Sequence, residues 1–322
     1  MRAFITGASG FIGGHLAARL VRDGWLVRAL VHKSRLSGPE NVESVSGDVR
    51  DFDLLKNALQ GVDVLFHLAS ALGASPIGKR DFFEINGEGT RAVLRAAREA
   101  GVRRILHFSS AGVLGHVKNG EVADERYRLD PRDVYDASKL EGEKIALEGA
   151  GSGQNIVVVR PGWVYGPGDR RTFKLVRAVA RRRLALVSGG HALQTPVYID
   201  DLVDGALLGA EQGRAGEIYN IAGIEVLTVR RMVEIIAGAT GTKPPRVSLP
   251  LGPTKAAAWS LGKVFSMLRR EAPLNPSRLA FFIHPKPLSI GKAVRDLGYS
   301  PSWDFQKGMA SAVAWYRANG WL

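Results

Sequence analysis

The 322-residue chain contains no cysteine. Disulfides, thiolate metal sites and cysteine nucleophiles are thereby excluded, and a reducing compartment suits it. Nowhere do apolar residues run unbroken for the roughly 18 positions that a spanning helix needs. The opening stretch MRAFITGASGFIGGHL has an early arginine and apolar residues. Glycines interrupt it and no small-residue cleavage site follows, so it does not read as a signal peptide. His67, His107, His116 and His191 lack metal-ligand spacing. Core or surface roles are expected of them, and no metal. Internal repeats and low-complexity tracts are missing. Acidic residues are in deficit, 31 against 44 lysines and arginines, for a net charge of +13. The cations come as scattered pairs and one triplet (Arg103-Arg104, Arg181 to Arg183, Arg230-Arg231, Arg269-Arg270), not as one tract interleaved with aromatics. No helix-turn-helix or RNA-binding signature accompanies them, so nucleic acid is not an expected partner. These absences leave a soluble, cytoplasmic protein as the expectation.

What is present is alternation. Short apolar runs (RAFIT, WLVRALV, a strand in NVESVSGDVRD ending at Asp48, DVLFHLAS, RRILHFSS, NIVVVRPGWVYG) alternate with helical segments of about 10–15 residues. The strands are nearly all apolar, as when helices cover both faces of a sheet. This predicts an α/β fold: a Rossmann doubly wound parallel sheet with helices on both faces. The alternation weakens after Gly166, and a Pro-rich joint, KPPRVSLPLGP, precedes a final helical segment. The predicted division is a dinucleotide-binding domain over 1–165 and a smaller C-terminal α/β substrate lobe over 166–322. Segments near 195–222 are expected to return to the first domain. Asp133 is the expected N-cap of a helix over 134–151, and Asp200-Asp201 are expected to cap another.

TGASGFIGG places Gly7, Gly10 and Gly13 between the first strand and first helix. Glycines there permit a tight turn and close backbone approach, and the helix N-terminus offers free N–H groups to a pyrophosphate. Gly7, Ser9, Gly10, Phe11, Ile12 and Gly13 are the candidate cofactor contacts. NAD-preferring sites usually carry an acid near the end of the second strand. Here Val31 stands in that place, followed by His32, Lys33 and Arg35. That cluster fits a 2′-phosphate, so NADP is preferred over NAD as the expected cofactor.

VYDASK sets Tyr135 four residues before Lys139, on one face of the expected helix. A phenol normally titrates near ~10. A nearby cation lowers that value, which would make Tyr135 a tuned proton donor and acceptor. Two solvated side chains on an exposed turn are the plainer alternative.

Nine segments in order along almost the whole chain carry a family resemblance: TGASGFIGG, GDVRD, HLAS, NGEGT, FSSAGVLG, YDASK, RPGWVYGPGD, VYIDDLVDGA and EIYNIAG. The chain resembles the extended short-chain dehydrogenase/reductases of the NAD-dependent epimerase/dehydratase superfamily. It is most similar to the 3β-hydroxysteroid dehydrogenase, sterol dehydrogenase and dihydroflavonol reductase branch. The resemblance implies that Tyr135 is the general acid/base and that Lys139 lowers its pKa and holds the nicotinamide ribose. Ser110 would hydrogen-bond the reacting oxygen, with Ser109 as the alternative. Asn86 would support this network. Asp48 and Val49 would contact adenine, Leu68, Ala69 and Ser70 would line the cofactor cleft, and Pro161 and Val164 would flank the nicotinamide. A homodimer is also implied.

Departures from the sugar-nucleotide members favour a small apolar substrate. LQTPVYIDD has Gln194-Thr195-Pro196 where those members often have Arg-Asp. RPGW stands where they tend to carry an Arg-Tyr-Phe-Asn type sequence and lacks its asparagine, and SSAGVLG lacks their Thr or Asp-Glu pair. The expected function is interconversion of a secondary alcohol and a ketone on a steroid-like, flavonoid-like or long-chain compound. Two alternatives stay open: a nucleotide-sugar epimerase or dehydratase with tightly bound NAD, and a non-catalytic nucleotide-binding subunit, against which intact Ser110, Tyr135 and Lys139 argue. In PTKAAAWSLGKVFSMLRRE, Trp259, Leu261, Val264, Phe265 and Leu268 stand among Lys255, Lys263, Arg269 and Arg270, followed by LAFFIHP. The stretch 253–283 reads as a lid or a peripheral membrane contact, or as a helix packed on the core.

Overall fold

The computed structural model describes residues 1–32, 36, 39–72, 77–267 and 276–322. In its first half, β1 (Arg2–Thr6), α1 (Phe11–Arg22), β2 (Leu26–Val31), β3 (Val42–Ser46), α2 (Phe52–Ala58) and β4 (Val64–His67) are followed by α3 (Lys79–Phe83), α4 (Gly89–Glu99), β5 (Arg104–Phe108), α5 (Val134–Gly151) and β6 (Ile156–Pro161). The second half runs through β7 (Trp163–Tyr165), α6 (Arg170–Ala180), β8 (Leu186–Val187), β9 (Leu193–Gln194), β10 (Pro196–Tyr198), α7 (Ile199–Gln212) and β11 (Ile218–Ile221). Then come β12 (Leu227–Thr228), α8 (Val229–Thr240), β13 (Ser248–Leu249), α9 (Leu251–Met267), α10 (Pro276–Ile283), α11 (Gly291–Leu297) and α12 (Phe305–Ala318).

Seven strands form one parallel sheet in the order β11-β6-β5-β4-β1-β2-β3. The order in which strands are added reverses between β1 and β4, the place where doubly wound sheets open a ligand crevice at their carboxyl ends. Alternate strand residues bury on opposite faces. Ala3, Ile5, Leu106 and Val159 join the core with α1 and α7, whereas Phe4, Leu65, Ile105 and Val158 pack with α2, α4 and α5. The strands are buried on both faces, which is why they read as continuous apolar runs and not as alternations.

The expected strand NIVVVRPGWVYG is in fact two. It breaks at Gly162, where a Cβ would stand 2.7 Å from the Thr195 carbonyl oxygen, and β7 leaves the main sheet to pair with β10. The chain then returns, and β11 adds the seventh strand beside β6. Outside the main sheet, α8 packs against both α6 and α12, and the small pairs β9–β12 and β8–β13 form.

Asp133 caps α5, its carboxylate accepting from the Asp136 N–H at 2.8 Å. The expected Asp200-Asp201 cap is corrected: α7 starts after Tyr198 with no side-chain cap. The Asp201 carboxylate instead accepts from the backbone N–H groups of Ser302 and Trp303, tying down the C-terminal segment. In the stretch 253–283, Ala258 and Leu279 are buried with Val187 while Trp259 is 58% exposed. Leu268, Arg269 and Arg270, and the side chains of Lys263 and Val264, lie outside the described residues. Among the described residues no helix is long and apolar enough to cross a membrane.

Candidate active site

The carboxyl ends of β1 and β4 build the crevice floor. Gly7 has φ +77°, and a Cβ there would stand 2.7 Å from the Ala69 nitrogen. The glycine thus lets the β1–α1 turn lie flat against Leu68 and Ala69. A Cβ on Gly13 would fall on the Gly7 carbonyl oxygen. α1 begins after Gly10 without a side-chain cap or an acidic residue in its first turn. Its first N–H groups have no intrahelical partners and sit beside exposed Ser9 and Gly10, a donor set that fits a dinucleotide pyrophosphate. Phe11, Ile12, Leu68, Ala69, Ser70 and Val164 are partly exposed around the crevice, and Pro161 is buried at the end of β6.

At the end of β2, His32 is exposed and lies 3.7 Å from Asp48. Lys33 and Arg35 are outside the described residues. Asp48 faces its own segment: the Arg50 guanidinium grips both carboxylate oxygens at 2.8 Å. This ion pair, more than the counter-effect of burial, holds the carboxyl down at about 2. Val49 is buried and packs where a side chain on Gly89 would otherwise go.

On α5, Tyr135 is half-buried, and the Ser110 hydroxyl is near enough to act on its phenol. Ser109, the alternative, is buried and donates to the Glu143 carboxylate at 2.5 Å. Expected electrostatics are corrected here. The Lys139 amine donates to the Phe108 carbonyl oxygen at 2.5 Å, and the Tyr135 phenol is raised above its ordinary value. Burial is the largest cause. Arg171 and the Ser110 hydroxyl oppose it, while Asp136 and Asp133 add to it. Spacing put Lys139 on the correct face, but its four-carbon stem carries the charge down to the sheet. Lys139 is itself lowered to about 8 by burial, with Glu143 opposing.

Glu143, four residues beyond Lys139, is 1% exposed and pairs with Arg160, 2% exposed, through contacts of 2.9 and 2.5 Å. Arg160 also donates to the Glu125 carbonyl. Sequence reasoning missed both residues, although the same four-residue interval that singled out Lys139 would have reached Glu143. Asp136 was missed as well. It is buried with its carboxylate against Gly112, and burial raises its pKa despite Lys286 and the Arg132 backbone N–H.

Asn86 sits in a π-helical turn over Glu84–Glu88 that joins α3 to α4. π-turns often mark functional sites. Its side chain is consumed: Oδ1 accepts from the Ala71 N–H at 2.7 Å, and Nδ2 donates to Ser138 at 2.8 Å. Ser138 in turn donates to the Tyr135 carbonyl. A second chain of bonds reaches Asn86 from the crevice floor. The Ala69 N–H donates to Thr6 Oγ1, which contacts His67 Nδ1 at 2.7 Å. His67 Nε2 lies 3.0 Å from Thr90 Oγ1, whose proton goes to the Asn86 carbonyl. With that proton committed, Nε2 must be the protonated nitrogen and Nδ1 the acceptor. Burial, then Lys139, lowers His67 to about 3, which keeps this tautomer neutral. His107 lies tilted beside it, the ring centroids 5.3 Å apart, with neither ring nitrogen bonded.

Residues 3–222 match the NAD dependent epimerase/dehydratase family. The chain belongs to that family. It is thus an NAD(P)-dependent oxidoreductase of the extended short-chain type, acting on CH–OH groups. Family relatives include a 4-hydroxy-2-methyl-3-oxo-4-farnesyl-3,4-dihydroquinoline-1-oxide ketoreductase from Stigmatella aurantiaca, 31% identical over 96% of this chain and 95% of its own length. A 3 beta-hydroxysteroid dehydrogenase/Delta 5-->4-isomerase from Mycobacterium tuberculosis is 28% identical over 98% and 90%. Among solved structures, DesIV, a dTDP-glucose 4,6-dehydratase from Streptomyces venezuelae with NAD and TYD bound, superposes with a TM-score of 0.80. It is 28% identical and covers 100% of this chain and 98% of its own.

Proposed function

We propose that this enzyme interconverts a secondary alcohol and a ketone on a largely apolar substrate, with Tyr135 as the proton donor and acceptor. The observation that carries this reading is that Tyr135 stands at the start of α5 with the Ser110 hydroxyl near enough to act on its phenol. A bound nicotinamide supplies or takes the hydride. Ser110 orients the reacting oxygen and stabilises charge developing on it. Tyr135, kept protonated by burial, gives its proton to that oxygen during reduction and takes it back during oxidation. Lys139 adds a positive field below pH 8. Asn86 and Ser138 fix the first turns of α5 on which Tyr135 stands. The relatives named for ketoreductase and steroid dehydrogenase activities support the apolar substrate class.

NADP is the proposed nucleotide. Val31 leaves the end of β2 without an acid, and the nearest carboxylate, Asp48, is neutralised by Arg50. A second reading, an epimerase or dehydratase that retains NAD, draws on the dTDP-glucose dehydratase likeness. Purified protein separates them: retained NAD in its absorbance favours the second, exchange with NADPH and carbonyl-dependent loss of reduced nicotinamide the first. Replacing Tyr135→Phe is expected to cut turnover by about 10²–10⁴, the usual contribution of a positioned acid–base, with nucleotide affinity nearly unchanged. Turnover at the parent rate would refute the role of Tyr135.

A further inference from the structure

Beside the Tyr135 site, the segment after Ser110 meets the segment after α10. The Val117 N–H donates to the Pro285 carbonyl at 3.0 Å, and Ala123 pairs with Leu288. This brings His116 and His284 face to face, their rings 3.3 Å apart and 21° from parallel, though 168 residues separate them in sequence. The pair is only partly exposed. Three elements add cations around it: Lys286 on the same crossing segment, Lys255 on α9, and Arg132 on the loop before α5. Asp130 is a carboxylate acting on His116, and Arg132 already holds it. Among the described residues, neither Lys286 nor Lys255 has an ion pair. Lys286 also acts on Asp136, the neighbour of Tyr135, so the cluster borders the reacting centre.

Such a set is poorly arranged for an empty site. Two stacked imidazoles cannot both be charged at low cost, and unpaired cations beside them make it worse. Burial is the largest cause lowering both rings, followed for His284 by His116, Lys255, Lys286 and Arg132, and for His116 by Arg132, Lys286 and Lys255. His284 falls to about 4. The free pair is therefore neutral near pH 7. An oxyanion placed among these groups reverses the balance: it pairs with Lys286 and accepts charge-assisted hydrogen bonds from the rings.

We propose that the substrate carries an oxyanion, a carboxylate or phosphate, away from its reacting carbon, and that His116, His284 and Lys286 bind it. This deepens the alcohol–ketone reading, on which it rests for the rest of the ligand. Ligand binding then draws a proton onto the imidazole pair.

The test is calorimetry on the whole chain with NADP⁺ saturating, using decanoate, decyl phosphate and decanol at pH 7 in two buffers of different ionisation heat. The expected result is binding of one or both anions about tenfold or more tighter than decanol, with net proton uptake. Preference between decanoate and decyl phosphate then distinguishes carboxylate from phosphate. In the double variant His116→Gln/Lys286→Met, that preference is expected to fall away while the melting temperature holds. The separate variant His284→Gln provides a second reading should the double variant misfold. Equal binding of all three compounds, or an anion preference unchanged in a folded variant, overturns the proposal. No turnover is measured, so an inactive enzyme does not affect this outcome. Conversely, a Tyr135→Phe protein with parent turnover would sink the catalytic reading and leave this one standing.

Discussion

At the scale of single residues, the decisive fact is where one amine points. Lys139 donates a hydrogen bond to the Phe108 carbonyl, and the Tyr135 phenol is left above its ordinary pKa. A phenol in that state stays protonated near neutrality, which keeps a proton available for ketone reduction. Alcohol oxidation needs the deprotonated ring and should rise with pH. Lys139 is charged below about 8, so reduction is expected to hold below that pH and decline as pH rises through it. Glu143 opposes the lowering of Lys139. In Glu143→Gln, which keeps the shape and removes the charge, the basic limb of the reduction profile should move to lower pH. A rate that drops with no movement of the limb would show that Glu143 only holds the fold together. The interval between Tyr135 and Lys139 was legible in the sequence because helical geometry fixes which residues share a face. The reach of a flexible side chain is not fixed that way. The stacked His116 and His284 were illegible for a different reason, since only the tertiary fold joins them.

At the scale of elements, the β1–α1 turn is where the sequence spoke most plainly. Glycines between an apolar strand and an amphipathic helix leave few geometries, and close approach to Ala69 accounts for Gly7. Gly13→Ala would force the turn away from Gly7, at a cost of about 1–3 kcal/mol as for other overpacked sites. The expected outcome is a lower melting temperature together with a weaker nucleotide dissociation constant, and unchanged values of both would contradict the packing described. Less of α3 and α4 was legible. Helical periodicity does not announce a π-turn, because one extra residue in a turn leaves the apolar pattern nearly intact. Gly162 likewise looked like a residue inside one strand, although the backbone of Thr195 crowds it and the chain changes sheet there.

For the molecule as a whole, the sheet carries its own acid sensitivity. His67 and His107 are both about 1% exposed and neutral in the fold, with values pushed far below the 6.5 of a free imidazole, His67 to about 3. The unfolded chain binds protons that the folded one refuses. Stability present above pH 6.5 is thus lost as pH falls, by about 1.4 kcal/mol per pH unit for each ring. Chemical denaturation at pH 7, 6 and 5 should show this slope, and His107→Phe should flatten it. A pH-independent midpoint would mean that the rings are solvated. The parallel sheet was legible in outline from the alternation of apolar runs and helices, and a return of the chain near 195–222 was expected, but the pairing of β11 with β6 was not, because β11 is only four residues long. That edge has a consequence for synthesis. A nascent polypeptide emerging from the ribosome with 165 residues made already possesses β6, whose six residues are all buried in the finished protein. It lacks β11, the strand that covers β6, until more than fifty further residues have been translated. During that interval β6 presents an unpaired border, so a chain cut after residue 165 is expected to associate through that edge.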